Sequence, residues 1–156
     1  MSLNIVLVEP LIPQNTGTIA RMTAATKTKL HLIEPLGFKL TDKYLKRAGL
    51  DYWPEVEIAI YPNWEKFIEQ NNVEENRIWF FSTHAENSYF DVQYEKNDYF
   101  VFGNESFGLS DFYHQRYAKQ RLSIPMMNEK VRSLNLSNAC SVVMYEAIRQ
   151  LRLYGK

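Results

Sequence analysis

Gly103 to Asp111 reads GNESFGLSD and directly follows the apolar run YFVF. Two glycines frame a turn that leaves a buried strand, an arrangement that lets backbone come close to a ligand. A phosphate does not suit these residues. The stretch lacks the lysine and the following Ser or Thr of a phosphate loop, and its spacing is not GxGxxG. Glu105 also sets a carboxylate where a phosphate would be repelled. The better guest is neutral or cationic, offering amino or hydroxyl groups to backbone carbonyls and to Glu105. A plain structural turn is the competing reading.

Two further stretches carry residue types of this kind. In EPLIPQNTGTIARM, residues 9–22, Pro10 and Pro13 stop a strand, Asn15 and Thr16 offer caps, and Gly17 opens a helix. Arg21, four residues beyond Gly17, then projects near the first turns, where a guanidinium can grip a phosphate or a polarised oxygen. A solvated helix arginine is the alternative. In SIPMMNEKVRSLNLSNACSVVMYEA, residues 123–147, a strand ends at Pro125 and a polar excursion leads into RSLNLSNA. Ser133, Asn135, Ser137 and Asn138 are more small polar residues than one helix cap needs. The surplus suits a ligand held against backbone amides.

The elements that must position these loops alternate along the chain. NIVLVEP (4–10), KLHLIEP (29–35), VEIAIYP (56–62), RIWFFST (77–83), YFVFG (99–103) and RLSIP (121–125) read as six strands. Most are continuously apolar for three to five residues, as strands covered on both faces are. Helical patterns lie between them: TGTIARMTAAT, then TDKYLKRAG with Thr41 as N-cap and Gly49 as C-cap, then NWEKFIEQ capped by Asn63. The last helix runs from about Asn135 to Tyr154 with an apolar stripe of Leu136, Ala139, Cys140, Val143, Met144, Ala147 and Leu151. Strands alternating with helices predict an α/β domain, a parallel sheet flanked by helices, with ligands beyond the carboxyl ends of the strands.

The chain has 156 residues, 46% of them hydrophobic, which predicts one compact domain over 1–156 with no second unit. Its single cysteine, Cys140, excludes an internal disulfide and a cysteine-based zinc cluster, and sits at helical spacing among apolar residues as a packing thiol. His31, His84 and His114 show no ligand spacing, so no metal is expected. No leader-like segment or run of about 18 apolar residues occurs, so a cytoplasmic, non-membrane protein is expected. Eighteen basic and eighteen acidic side chains balance to zero, which excludes a globally basic coat but leaves room for a local patch. KLTDKYLKRAG supplies one: Lys39, Lys43, Lys46 and Arg47 against Asp42, with Lys43 and Arg47 on one helix face.

Together the three loops resemble the three motifs of the SPOUT class of RNA methyltransferases, in its SpoU branch. They are N-x-G-x-x-x-R at Asn15–Gly17–Arg21, F-G-x-E-x-x-G-L at Phe102–Leu109, and S-L-N-L-S-N-A at Ser133–Ala139. HLIEPLGF (31–38) and LKRAGLDYW (45–53) look like the single-domain subfamily of tRNA (cytidine/uridine-34-2′-O)-methyltransferases. The resemblance implies a deep C-terminal trefoil knot and S-adenosylmethionine bound in it, so the glycine turn would receive a sulfonium cation carrying adenosine. Carried residue by residue, the donor pocket would use Phe81, Gly103, Ile124 and Ser133, with Thr83 and Glu105 as further members.

The implied reaction is methyl transfer to a ribose 2′-hydroxyl. Arg21 matches the family's catalytic arginine. Because an arginine stays protonated, its expected role is to clamp the neighbouring phosphate and stabilise the developing alkoxide. Asn135 would orient the hydroxyl, and Lys43 and Arg47 would hold tRNA. The resemblance further implies a homodimer, which doubles the small basic patch. Three competing readings stand beside it: the same chemistry on another RNA ribose, a donor- or RNA-binding module without catalysis, and a generic nucleotide-binding α/β protein.

Overall fold

Alternation along each strand explains how one sheet buries both faces. The computed structural model describes residues 2–154. Its six strands are β1 (Asn4–Val8), β2 (Lys29–Ile33), β3 (Ile58–Tyr61), β4 (Ile78–Phe81), β5 (Tyr99–Phe102) and β6 (Arg121–Leu122). All pair in parallel, in the order β3-β2-β1-β5-β4-β6. Ile5 and Leu7 of β1 face one apolar layer with Ile19, Phe100, Cys140 and Met144. Val6 and Val8 face the other, with Trp64, Phe67, Phe80 and Tyr113.

Among the described residues there are five α-helices, α1 (Pro13–Thr26), α2 (Lys43–Gly49), α3 (Trp64–Asn71), α4 (Asp111–Arg116) and α5 (Leu136–Leu151), of which α2 packs on α1. The expected α/β class, all six strands and the Asn63 cap, whose side chain accepts from the Lys66 amide at 2.8 Å, are present. Two expected helix starts are corrected. α1 begins at Pro13 with Ile12 as its N-cap, so Asn15, Thr16 and Gly17 lie inside it; proline at the first helical position has no N–H to leave unpaired. α2 begins after Asp42, whose carboxylate accepts from the Tyr44 amide at 2.8 Å, and Thr41 is not its cap. α4 was not expected at all. The Gly49 cap and the side chain of Lys46 lie outside the described residues.

The strand order decides where a ligand can enter. From β1 the chain steps outward to β2 and β3, whereas β5, β4 and β6 lie on the other side of β1. The order therefore reverses between β1 and β5. At such a point the loops leaving the two strands diverge and open a crevice at their carboxyl ends. The loop after β1 and the glycine turn after β5 are the two that meet there.

The opposite end of the sheet is closed by polar pairing. Asp98, fully buried, accepts from Arg77 Nε and Nη2 at 2.7 and 2.6 Å, from Trp79 Nε1 at 2.9 Å and from the Glu95 amide at 2.8 Å. Four donors around one carboxylate satisfy a charge that burial would otherwise penalise. His31 on β2 is also buried, with Nε2 3.0 Å from Asn4 Oδ1 and Nδ1 2.9 Å from the Tyr61 hydroxyl. Burial, helped by Lys29, lowers its pKa from 6.5 to about 3, so the ring is neutral and structural. Among the described residues no helix is long and apolar enough to cross a membrane.

Candidate functional site

A cleft of 1020 Å³ opens at the carboxyl ends of the central strands. Its floor is aromatic. Phe81 ends β4, Phe102 ends β5, and their rings stack 4.7 Å apart at 9° because the two residues are register partners. Ile124 beyond β6 and Leu136 and Ala139 of α5 extend this apolar floor. The walls are the glycine turn and the exposed loop 126–135 that leads into α5. Phe81, Gly103, Ile124 and Ser133, expected around a donor, all line this one cleft, as do Thr83, Glu105 and Asn135. Among the described lining residues there is no lysine, and Arg132 is the sole arginine.

The glycine turn is built differently from the expectation. Asn104 and Gly108 exchange backbone hydrogen bonds of 3.2 and 3.0 Å, folding the turn back on itself. A Cβ on Gly103 would lie 2.0 Å from the Gly108 carbonyl carbon and 2.3 Å from the Leu109 nitrogen. Close approach is thus demanded first by the turn's own return strand. Gly108 is the complementary case: its φ is +65° and nothing lies within 4 Å of a built Cβ. It is required for the turn's conformation and leaves open space above it.

Glu105 is likewise committed within the protein. The Leu11 N–H donates to Oε1 at 3.0 Å and the Ile12 N–H to Oε2 at 2.5 Å. Both oxygens hold the loop after β1 at the start of α1, where amides without an intrahelical partner need an acceptor. Glu105 thus lines the cleft with both of its oxygens already engaged in this clamp. Asn135 also has two duties. Its Oδ1 caps α5, accepting from the Ser137 and Asn138 amides at 2.9 and 3.3 Å, and its Nδ2 donates to Asn15 Oδ1 at 3.1 Å. The first and third motifs are joined by that amide pair.

Arg21, Lys43 and Arg47 do not line the cleft. Because α1 starts at Pro13, Arg21 is its ninth residue, about 12 Å along the axis and not near the first turns. It is exposed, with its guanidinium carbon 4.7 Å from the centroid of the Tyr52 ring. Tyr52 belongs to a 3-10 turn, Leu50–Glu55, that continues α2, and both pack against α1. Lys43 and Arg47 are exposed on α2, Lys43 lying 5.1 Å from the Tyr44 ring. A basic and aromatic surface therefore runs over α1 and α2, apart from the cleft on the same chain.

Cys140 is fully buried, and burial pushes its thiol well above the usual range, as expected of a packing residue. His84 and His114 line the cleft mouth, a placement their spacing gave no sign of. His114 reaches it on α4 and keeps its Nδ1 3.2 Å from Arg121 Nη1. A guanidinium only donates, so Nδ1 is the acceptor and the proton sits on Nε2. Among the described residues no group of three or more His, Cys, Asp or Glu is placed to hold a metal ion.

Residues 2–145 match the profile of the SpoU rRNA Methylase family. A tRNA (cytidine(34)-2′-O)-methyltransferase of Saccharophagus degradans is 48% identical over 153 residues, covering 97% of each chain. A solved structure described as giving structural insights into the 2-OH methylation of C/U34 on tRNA superimposes with a TM-score of 0.88 at 43% identity, again over 97% of each chain. The SpoU methyltransferase AviRb from Streptomyces viridochromogenes, in complex with the cofactor AdoMet, shares the fold. It gives a TM-score of 0.83 at 24% identity, over 99% of this chain and 62% of that one.

Proposed function

The chain belongs to the SpoU rRNA methylase family, and from that premise we propose that it transfers a methyl group from S-adenosylmethionine to a ribose 2′-hydroxyl of tRNA. The acceptor on this reading is the wobble nucleotide at position 34, a cytidine or modified uridine. The observation that carries the proposal is the near-full-length similarity to a relative named for that reaction, together with the seating of residues from all three motifs at one cleft or its rim.

The cleft suits the donor chemically. The stacked Phe81–Phe102 floor and Ile124 offer an apolar seat for an adenine, while the turn from Gly103 to Gly108 and Ser133 offer backbone and hydroxyl partners. Two carboxylates, Glu105 and Glu129, line the cleft beside the one guanidinium of Arg132, so the lining carries no net positive charge from these groups to repel a sulfonium. When bound, S-adenosylmethionine supplies the electrophilic methyl group. The protein's share is to align a weak nucleophile, an effect that can lower a barrier by several kcal/mol, and to favour charge on its oxygen. Asn135 orients the hydroxyl from the cleft rim.

Arg21 takes the role of phosphate clamp and alkoxide stabiliser. Since it is exposed on α1 away from its own chain's cleft, the working enzyme on this reading is a homodimer in which α1 of one subunit serves the cleft of the other. Exposed Val142 and Tyr145 on α5, and Leu153 and Tyr154 beyond it, support an apolar interface. Lys43 and Arg47, doubled by the dimer, hold the tRNA backbone. The deep C-terminal knot and a cytoplasmic location belong to the same proposal.

Transfer from methyl-labelled S-adenosylmethionine to bulk tRNA, followed by digestion to nucleosides, tests it. Label is expected in 2′-O-methylcytidine or a 2′-O-methyluridine derivative, and Arg21→Ala is expected to abolish it. Label in a methylated base would overturn the acceptor, and Arg21→Ala with unchanged turnover would overturn the role of Arg21.

A further inference from the structure

Tyr52 leaves 43% of its surface exposed, yet its ring is not idle. The Arg21 guanidinium carbon sits 4.7 Å from its centroid, within the range of a cation–π contact. Among the described residues no carboxylate pairs with Arg21, and no hydrogen bond involves the Tyr52 hydroxyl. The ring face is thus the contact that restrains the guanidinium.

A guanidinium lying on a ring uses its face, while its five N–H donors point outward in the plane. A guanidinium carbon held over a ring is therefore restrained without an acceptor oxygen taking any of its donors. A carboxylate partner would fix the same side chain but occupy the edge needed to grip a phosphate or an alkoxide. The ring is itself anchored, because the 3-10 turn Leu50–Glu55 packs against α1, the helix that carries Arg21.

We propose, resting on the role given to Arg21 above, that Tyr52 is a positioning residue for methyl transfer: its ring holds the Arg21 guanidinium in place over its face, with no protein acceptor taking the donors meant for the RNA. It acts through the arginine and is not itself a catalytic residue.

The expected effect follows from the strength of an exposed contact of this type, about a 2- to 5-fold change. With unfractionated tRNA and labelled S-adenosylmethionine, Tyr52→Ala and Tyr52→Leu should each lower kcat by about that factor. Donor Kd and melting temperature should stay unchanged. Tyr52→Phe, which keeps the ring, should restore the wild-type rate. In an Arg21→Lys background, where the ammonium has no fork of donors for the ring to hold, Tyr52→Leu should cost less than it does beside Arg21. Four results would overturn the proposal: wild-type kcat in Tyr52→Leu, equal impairment in Tyr52→Phe, a change confined to KM for tRNA, or the full loss persisting beside Arg21→Lys. Failure of the arginine's own role is distinguishable, because Arg21→Ala would then turn over normally whatever stands at position 52.

Discussion

Replacing Gly103 by alanine asks the turn to admit one carbon where its own backbone already lies. The new Cβ would stand 2.0 Å from the Gly108 carbonyl carbon, 2.3 Å from the Leu109 nitrogen and 2.4 Å from the Gly108 oxygen. Carbon contacts are comfortable near 3.5 Å, so the two arms of the turn must part by about 1.5 Å. The paired Asn104–Gly108 hydrogen bonds, at 3.2 and 3.0 Å, cannot survive that movement. Two lost bonds at about 1 kcal/mol each and about 1–3 kcal/mol of overpacking give roughly 3–5 kcal/mol. Gly108→Ala meets no atom and bears only the strain of φ +65°, about 1–2 kcal/mol. Urea unfolding of both variants at matched protein concentration, with calorimetric titration of S-adenosylmethionine, measures the contrast. Gly103→Ala should be the less stable by about 1–4 kcal/mol, and the weaker donor binder. Equal stabilities, or a larger loss at Gly108, would refute the view that the turn's own return strand excludes a side chain at 103.

Glu105→Gln should cost about 1–2 kcal/mol and weaken donor binding several-fold, since one oxygen and the charge that holds the Leu11 and Ile12 amides are lost; calorimetry and denaturant midpoints check it. Asn135→Ala should destabilise by about 1–2 kcal/mol through the lost α5 cap, and Asn135→Asp, which keeps the cap acceptor but removes the donor to Asn15, should recover most of it in a thermal melt. His31 binds a proton more readily unfolded, at 6.5, than folded, at about 3, so stability should fall as pH drops through that window. By pH 5 the loss is on the order of 2 kcal/mol, and a His31→Gln variant should show a flatter pH profile of unfolding free energy.

The strands were legible because each buried strand carries its own apolar run, a local signal that needs no knowledge of its neighbours. The cleft was legible for a related reason: the carboxyl ends of parallel strands share one edge of the sheet, and the three loops rich in small polar residues leave β1, β5 and β6 at that edge. What stayed hidden depends on partners remote in sequence. Glu105 reads as a free carboxylate until the Leu11 and Ile12 amides, more than ninety positions away, are placed beside it. Arg21 was placed too near the helix start because Pro13 reads equally well as a strand stop and as a first helical residue. The six-residue α4 has too few turns for a periodic pattern, so His114 gave no warning of its place at the cleft.

The tie between Asn15 and Asn135 spans 120 positions, and that between Leu11 and Glu105 spans 94. A ribosome making this protein must therefore pass residue 135 before the cleft has all its walls. Until the start of α5 emerges, the loop after β1 can have its clamp from Glu105 but not its tie to Asn135, and the cleft lacks the wall that leads into α5. Contacts this distant in sequence also make folding slow compared with a helical bundle of the same length. The cleft is thus closed late in synthesis, in two steps set by Glu105 and then Asn135.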